Sequence, residues 1–387
     1  MMRVLRSQRV LFDGKIQPAD LLLEHDYISD VLAHGTVTEA FDFGHKLIAP
    51  GFIDLHSDSV EQEIEPRPGA EFPVKSALVE LDKKLTMAGI TTMFHAIAFN
   101  DESLVGRRGT QAAADLINQV YGCNSSMLHI DNLVHARYEI TSFCSLPAIK
   151  ELIDSGKVQL LSLMDHSPGQ GQFRSLEQWK KYHLPVFKLS EEEALKIVDQ
   201  QQEKKSRSQR YLEELVQYAK EHDILLASHD DDSSEKIDLL HDLGITIAEF
   251  PLNVETAAHA RSKGMATGMG APNVVRGRSQ GGNISARELL DHGHCDFLCS
   301  DYHPTSMLQA AYAISAEMGW DLTKALACIT STPAGIARLD DRGEIAPGKL
   351  ADLVVIDDEN VAKVVMTLKG GIPVYNGNSC FCMTKAA

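Results

Sequence analysis

Positive charge is in short supply in this chain: 37 Lys and Arg stand against 54 Asp and Glu, a formal net charge of −17. A nucleic-acid surface needs a basic stripe, so neither DNA nor RNA is expected as a partner. The same deficit means that any anionic ligand must be held locally, by Arg, His, a metal or backbone N–H groups, against the field of the whole protein. Long apolar runs are missing too. No stretch approaches the roughly 18 consecutive apolar residues of a membrane span, so no membrane association is expected. The opening residues, Met1 to Gly14, hold neither a long apolar segment nor a small-residue cleavage site, so no secretory leader is expected. Paired CxxC units are absent as well, which argues against a zinc ribbon. The seven cysteines, Cys123, Cys144, Cys295, Cys299, Cys328, Cys380 and Cys382, are odd in number and irregular in spacing. They read as reduced thiols of a cytoplasmic protein. Cys380 and Cys382 form a lone CxC, either a metal-binding pair or part of an unstructured tail.

What is present is ordinary globular material. The 387 residues are 44% hydrophobic and 24% charged, enough to bury a substantial core. Short strand-like segments open the chain at Val10–Phe12, Asp20–Leu23, Tyr27–Val31 and Leu47–Ile48, separated by turn signals. From Gly51 onward, eight apolar β-rich runs alternate with amphipathic stretches: Phe52–Leu55, Ile90–Ala98, Leu133–Ile140, Val158–Met164, Ile224–Ser228, Ile245–Ala248, Met265–Met269 and Phe297–Cys299. Alternation of this kind predicts a parallel sheet, and eight repeats predict its closure into a (β/α)₈ barrel. An open doubly wound sheet is the rival. It would want a Gly-rich phosphate turn after the first strand, where this chain has His56-Ser57-Asp58. Ser190 and Glu193 form a capping box that opens a helix to about His222. Strand-like pattern returns at Ala351–Asp357 and Val361–Leu368, with a hairpin turn at Lys369-Gly370-Gly371. Residues 1–50 and 346–387 are therefore expected to form a small β-sandwich beside a barrel of residues 51–345.

The polar residues of interest share one position, the C-terminal end of a barrel strand. His56 and Asp58 follow the first run, Glu139 ends the third, Asp165 and His166 follow the fourth, and His229 to Asp232 follow the fifth. Glu249 ends the sixth, and Asp301 and His303 follow the eighth. Barrel enzymes place their active sites at that face. Any one of these residues alone would read as structural. Imidazoles and carboxylates converging from six strand ends call for a cation, because they would otherwise repel or lie unsatisfied. The ligand types suit zinc or a similar divalent ion, one or two per chain, held by His56, Asp58, Glu139, His166, His229 and Asp301. Such an ion acidifies water, which implies hydrolysis. Asp301, His229 and His166 are the candidate catalytic groups, Asp301 as the base. A second cluster, Met269-Gly270-Ala271-Pro272-Asn273-Val274-Val275-Arg276-Gly277-Arg278, offers small residues and two guanidinium forks for phosphate. The bland alternative is a surface loop with exposed Arg. Arg67, Arg137 and Arg174 are further candidates for binding an anionic substrate.

Ala49-Pro50-Gly51-Phe52-Ile53-Asp54-Leu55-His56 resembles the first-strand signature of the amidohydrolase superfamily, and Gly343-Glu344-Ile345-Ala346-Pro347-Gly348-Lys349-Leu350-Ala351-Asp352-Leu353 its usual partner near the C-terminus. A closer resemblance is to one branch, the alpha-D-ribose 1-methylphosphonate 5-triphosphate diphosphatases of phosphonate breakdown. It rests on His135-x-Arg137-x-Glu139, Ser162 to Gln170, Ala227-Ser228-His229-Asp230-Asp231, Ile247-Ala248-Glu249-Phe250-Pro251, Gly270 to Gly277 and Ser300-Asp301-Tyr302-x-Pro304, in order along nearly the whole chain. The resemblance implies hydrolysis of a phosphorylated sugar to the 5-phosphate and diphosphate, on the carbon–phosphorus lyase route. Relative to the superfamily, the first motif is HxD and not HxH, no Lys ends the fourth run, and Glu249 replaces the His after the sixth strand. Ser57 and His303 differ from the commonest residues of the branch, which leaves room for a divergent substrate. Hydrolysis of a C–N bond is the competing chemistry, and a non-catalytic interaction module is disfavoured because the ligand set is retained. A homo-oligomer is left open.

Overall fold

The computed structural model describes residues 3–67, 69–100, 109–124, 127–167, 175–187, 190–279 and 282–377. Its first five strands are β1 (Arg3–Phe12), β2 (Lys15–Glu24), β3 (Tyr27–Ala33), β4 (Phe41–Asp42) and β5 (Leu47–Pro50). The eight strands that follow are β6 (Phe52–Ser57), β7 (Ile90–Phe99), β8 (Asp131–Glu139), β9 (Leu160–Met164), β10 (Leu225–His229), β11 (Ile247–Glu249), β12 (Ala266–Gly270) and β13 (Phe297–Cys299). The chain returns at the end through β14 (Leu353–Asp357), β15 (Lys363–Lys369) and β16 (Ile372–Asn376).

The two chain ends make one separate sheet in the order β16-β15-β14-β5-β1-β2-β3, with β4 on β1. The turn signals act as expected. Asp13 and Gly14 (φ 51° and 67°) form the two-residue turn of the β1–β2 hairpin, and Gly370 and Gly371 (φ 52° and 70°) that of the β15–β16 hairpin. Both positions of such a turn need a positive φ, which suits Asp-Gly and Gly-Gly. One side of the sheet buries Leu5, Leu21, Ile28, Ile48, Leu353 and Met366.

The second sheet takes β6 to β13 in chain order. Its pairs from β8 to β12 are parallel. β6 and β7 are buried along their whole length, as strands covered on both faces must be. Beyond β13 the amide of Asp301 donates to the carbonyl of His56 (3.0 Å), and the amide of Asp58 donates back to the carbonyl of Asp301 (2.9 Å). This parallel bridge joins the last strand to the first and closes a (β/α)₈-type barrel. Gly51 shows why the first-strand signature begins as it does: a Cβ there would lie 2.3 Å from Oγ1 of Thr91.

By contact density the chain divides into two compact units, Met1–Met93 with Cys123–Asn132 and Phe297–Ala387, and Phe94–Gly122 with Leu133–Asp296. The first holds the end sheet and the bridge between Ser57 and Asp301; the second holds β9 to β12 and most of β8. The helix expected after Ser190 spans Glu191–Glu221, with both halves of the capping box formed. The segment expected as a phosphate loop is a short helix, Ala271–Arg276, directly after β12. Pro272 suits its first turn, and Gly277 (φ 70°) ends it. Cys123, Cys144, Cys295, Cys299 and Cys328 are free thiols, while Cys380 and Cys382 lie outside the described residues. Among the described residues no helix is long and apolar enough to cross a membrane.

In the first unit, the buried Asp20 carboxylate takes a two-pronged bond from Arg6 (2.7 Å each) and the amides of Gly35 and Val37. The guanidinium and those amides hold Asp20 well below the usual carboxylate range. A carboxylate so depressed adds stability at neutral pH that fades as pH falls below about 4, where the unfolded chain takes up protons that the folded one refuses. Asp20→Asn is expected to lower unfolding free energy at pH 7, because Arg6 and the amides of Gly35 and Val37 lose a charged acceptor. Urea titrations from pH 7 to pH 3 should show the gap from wild type narrowing; a gap constant with pH would contradict the ion-pair account.

Candidate metal centre

Strand geometry decides which side chains meet. Successive residues point to opposite faces, so His135, Arg137 and Glu139 of β8 share one face. The register pairs Arg137 with Ser162, Ser162 with Ala227 and Ala227 with Ile247. Two residues further along, His229 stands opposite Glu249, on the same face. Arg137, Glu139, His229 and Glu249 are all buried.

Glu139 lies against His166, which follows β9. Its Oε2 is 3.1 Å from Nδ1 of His166, and the amide of His166 donates to the same carboxylate. Oδ2 of Asp230 is 3.1 Å from Nδ1 of His229 and 3.9 Å from Nε2 of His166. Nη2 of Arg137 is 3.2 Å from Nε2 of His229. Nε2 of His135 is 3.6 Å from Oε2 of Glu249. Burial pushes Glu139 above the usual carboxylate range, opposed by His166. Burial also pushes Glu249 up, opposed by His135, His229 and Arg137. Asp230 behaves differently: burial would raise it, but His229, with His166 and Lys236, holds it down at about 2.

Imidazole nitrogen and carboxylate oxygen are the donors that zinc and similar cations take. His166, His229 and Asp230 each offer a donor atom within 4.8 Å of the other two, and Glu139 touches this group through His166. Buried carboxylates need a compensating cation, so the donor set fits a divalent metal.

In the first unit, His56 is buried and Asp58 precedes the helix Ser59–Ile64. Oδ1 of the buried Asp54 accepts the amides of His56 (3.2 Å) and Ser300 (3.0 Å), and the Ser57 hydroxyl donates to the carbonyl of Asp301 (2.8 Å). Asp301 itself is left-handed, at φ 56°. His303 is exposed, 3.3 Å from Oγ1 of Thr305.

The structure thus brings Glu139, His166 and His229 into one group and sets His56, Asp58 and Asp301 at the closing bridge. Of the expected substrate-binding cations, Arg137 is buried in contact with His229, while Arg67, Arg276 and Arg278 are exposed. Arg174 lies outside the described residues. Sequence reasoning left Asp230 out of the ligand set and did not single out Lys236. The run of three Asp after His229 was the available signal, but only the backbone decides which of the three turns inward.

The chain matches the amidohydrolase family over residues 186–375. It is similar to the alpha-D-ribose 1-methylphosphonate 5-triphosphate diphosphatase of Escherichia coli (strain K12), 34% identical over 357 residues that cover 91% of this chain and 94% of that protein. In structure it is similar to N-acetyl-D-glucosamine-6-phosphate deacetylase from Mycobacterium smegmatis, with TM-score 0.65 and 13% identity over 96% of this chain and 100% of that one. It is likewise similar to dihydropyrimidinase from Brevibacillus agri NCHU1002, with TM-score 0.65 and 13% identity over 97% and 95% of the two chains. Identities this low speak to the fold alone.

Protein purified without chelator is expected to contain at least one divalent metal ion per chain by elemental analysis. Removing the Asp230 carboxylate, as Asp230→Ala, should lower that content. A preparation that holds none and hydrolyses substrate at full rate would exclude the assignment.

Proposed function

The chain belongs to the amidohydrolase family, in the branch of the alpha-D-ribose 1-methylphosphonate 5-triphosphate diphosphatases, and on that premise we propose that it hydrolyses this triphosphate to the ribose 5-phosphate derivative and diphosphate, within carbon–phosphorus lyase phosphonate degradation. The supporting observation is similarity over nearly the full length of a diphosphatase, joined to a buried set of imidazoles and carboxylates at the barrel strand ends. We assign the cation as zinc, one or two ions per chain. His56, Asp58, Glu139, His166, His229 and Asp301 are its proposed ligands, and we add Asp230, whose carboxylate lies within 4.8 Å of donor atoms of His166 and His229. The proposed compartment is the cytoplasm, where the thiols stay reduced.

A bound divalent ion supplies Lewis acidity: it lowers the pKa of water and neutralises phosphoryl charge. The remaining work falls to the chain. Asp301 follows β13 with its backbone fixed by two hydrogen bonds, and we assign it the proton of the attacking water. Arg276 and Arg278 are exposed at the end of the helix after β12, and we assign their guanidinium groups to the distal phosphates, which a planar fork can hold with two parallel bonds. Arg67 is a further exposed cation proposed for this role. Phosphoryl transfer depends chiefly on such positioning and charge neutralisation. With the sugar in the barrel mouth and the distal phosphates on the Arg groups, water meets the phosphorus nearest the sugar, and the two outer phosphates leave together.

Hydrolysis in oxygen-18 water, followed by phosphorus NMR, is expected to put the label in the sugar phosphate and to release diphosphate. Label in diphosphate would place attack at the middle phosphorus and refute the pose. No hydrolysis of the triphosphate, with turnover of an amide, would move the enzyme to C–N chemistry.

Arg276→Ala is expected to raise the Michaelis constant by the equivalent of about 1–3 kcal/mol, the range for a charged hydrogen bond left unmade. Its unfolding midpoint should stay at the wild-type value. An unchanged Michaelis constant would return Arg276 to the role of a surface side chain.

A further inference from the structure

The strand that supplies His229 ends in a turn that is not relaxed. Asp230, the next residue, has φ 54°, a left-handed conformation that side chains other than glycine adopt at a cost. In that conformation its carboxylate comes back to Nδ1 of His229 and toward Nε2 of His166. Surrounding groups must hold the turn. The amide of Asp230 donates to the carbonyl of Glu249 (3.0 Å), the amide of Leu252 to the carbonyl of Asp231 (2.9 Å), and Nδ2 of Asn253 to the carbonyl of Asp232 (3.0 Å).

One side chain spans the strained residue itself. Lys236, in the helix Ser234–Asp242, places Nζ 3.4 Å from the carbonyl of His229 and 3.0 Å from Oδ1 of Asp231. The Asp231 carboxylate is fully buried, and its other oxygen accepts from the hydroxyl of Ser228 (2.5 Å). The ammonium therefore grips the residue before Asp230 and the residue after it. Ser233 caps the helix by accepting from the amide of Lys236 itself, so the backbone that carries this ammonium is anchored.

We propose that Lys236 is a positioning residue: through the His229 carbonyl and the Asp231 carboxylate it holds Asp230 in the left-handed turn that aims its carboxylate at His166 and His229. The proposal rests on the reading of these three side chains as metal ligands. Lys236 touches neither metal nor substrate; it acts through the ligand turn. Its ammonium offers several donors and lies under the turn, and neither Ser228 nor Asn253 reaches both sides of Asp230.

The test uses the full chain, stripped of metal and titrated with cobalt(II), whose visible absorption reports ligand number and geometry. Lys236→Met is expected to weaken cobalt binding by about 10- to 100-fold, the range for partners that orient metal ligands, and to change the band shape. Lys236→Arg, whose fork can also reach two acceptors, should bring affinity back close to the wild-type value. Because Lys236→Met leaves Asp231 buried without a counter-charge and can fail to fold, the double variant Lys236→Met with Asp231→Asn removes the pair together. If Lys236 positions Asp230, the double variant regains thermal stability but keeps the weakened cobalt affinity. If Lys236 merely neutralises Asp231, the double variant regains wild-type affinity and spectrum, and the proposal is overturned. Wild-type protein that develops no cobalt absorption would overturn the metal reading itself, and this proposal with it.

Discussion

Glu139, Asp230 and Glu249 place three carboxylates in the barrel interior, at 4%, 7% and 1% exposure. Removing a carboxylate from water costs several kcal/mol unless positive charge meets it there. Much of the site follows from that requirement. Each of the three is met by an imidazole: Glu139 by His166, Asp230 by His229, Glu249 by His135. Arg137, itself buried, lies 3.2 Å from Nε2 of His229. Burial still pushes Glu139 and Glu249 upward, so these partners do not offset the full cost. A divalent cation would supply what is missing, and the charge it would bring to the carboxylates is also what an anhydride phosphate requires. In a chain of net charge −17, that local positive charge has to be built in at the site.

The strand ends bear a matching strain. Asp230, Phe250 and Asp301, which follow β10, β11 and β13, all have φ between 53° and 56°. Asp tolerates this region because its short side chain can bond locally; Phe does not share that excuse. Left-handed residues turn the chain abruptly as it leaves a strand, which aims side chains back at the strand end. Strain of this kind persists where surrounding hydrogen bonds over-determine it. At Asp230 they do so through Glu249, Leu252, Asn253 and Lys236.

Much of this was legible in the residues. All eight barrel runs became strands, with ends displaced by a residue or two, because an apolar run between helical stretches leaves little choice of period. Asp13-Gly14 and Gly370-Gly371 turned as their types require. The candidate site residues that lie together are legible from position: Glu139, His166 and His229 each end or follow a strand, and strand ends meet in a barrel. Other features depended on what single positions cannot reveal. Asp230 was hidden among three consecutive Asp, and only its left-handed backbone distinguishes it. The Gly270–Arg278 segment read as a loop from its small residues, yet Pro272 suits a first helical turn, and Arg287 Nε donates to the carbonyl of Val274 (2.7 Å) near the end of that helix. Lys236 is one charged residue on an amphipathic helix, and nothing in its neighbours announces an inward ammonium.

The most direct measurement is anomalous diffraction at the zinc edge from a crystal of the protein grown with zinc. The account predicts an anomalous peak within bonding distance of His166, His229 and Asp230, with imidazole nitrogen and carboxylate oxygen in its coordination shell and no sulfur. A peak only at surface histidines, with none at His229 and Asp230, would contradict it.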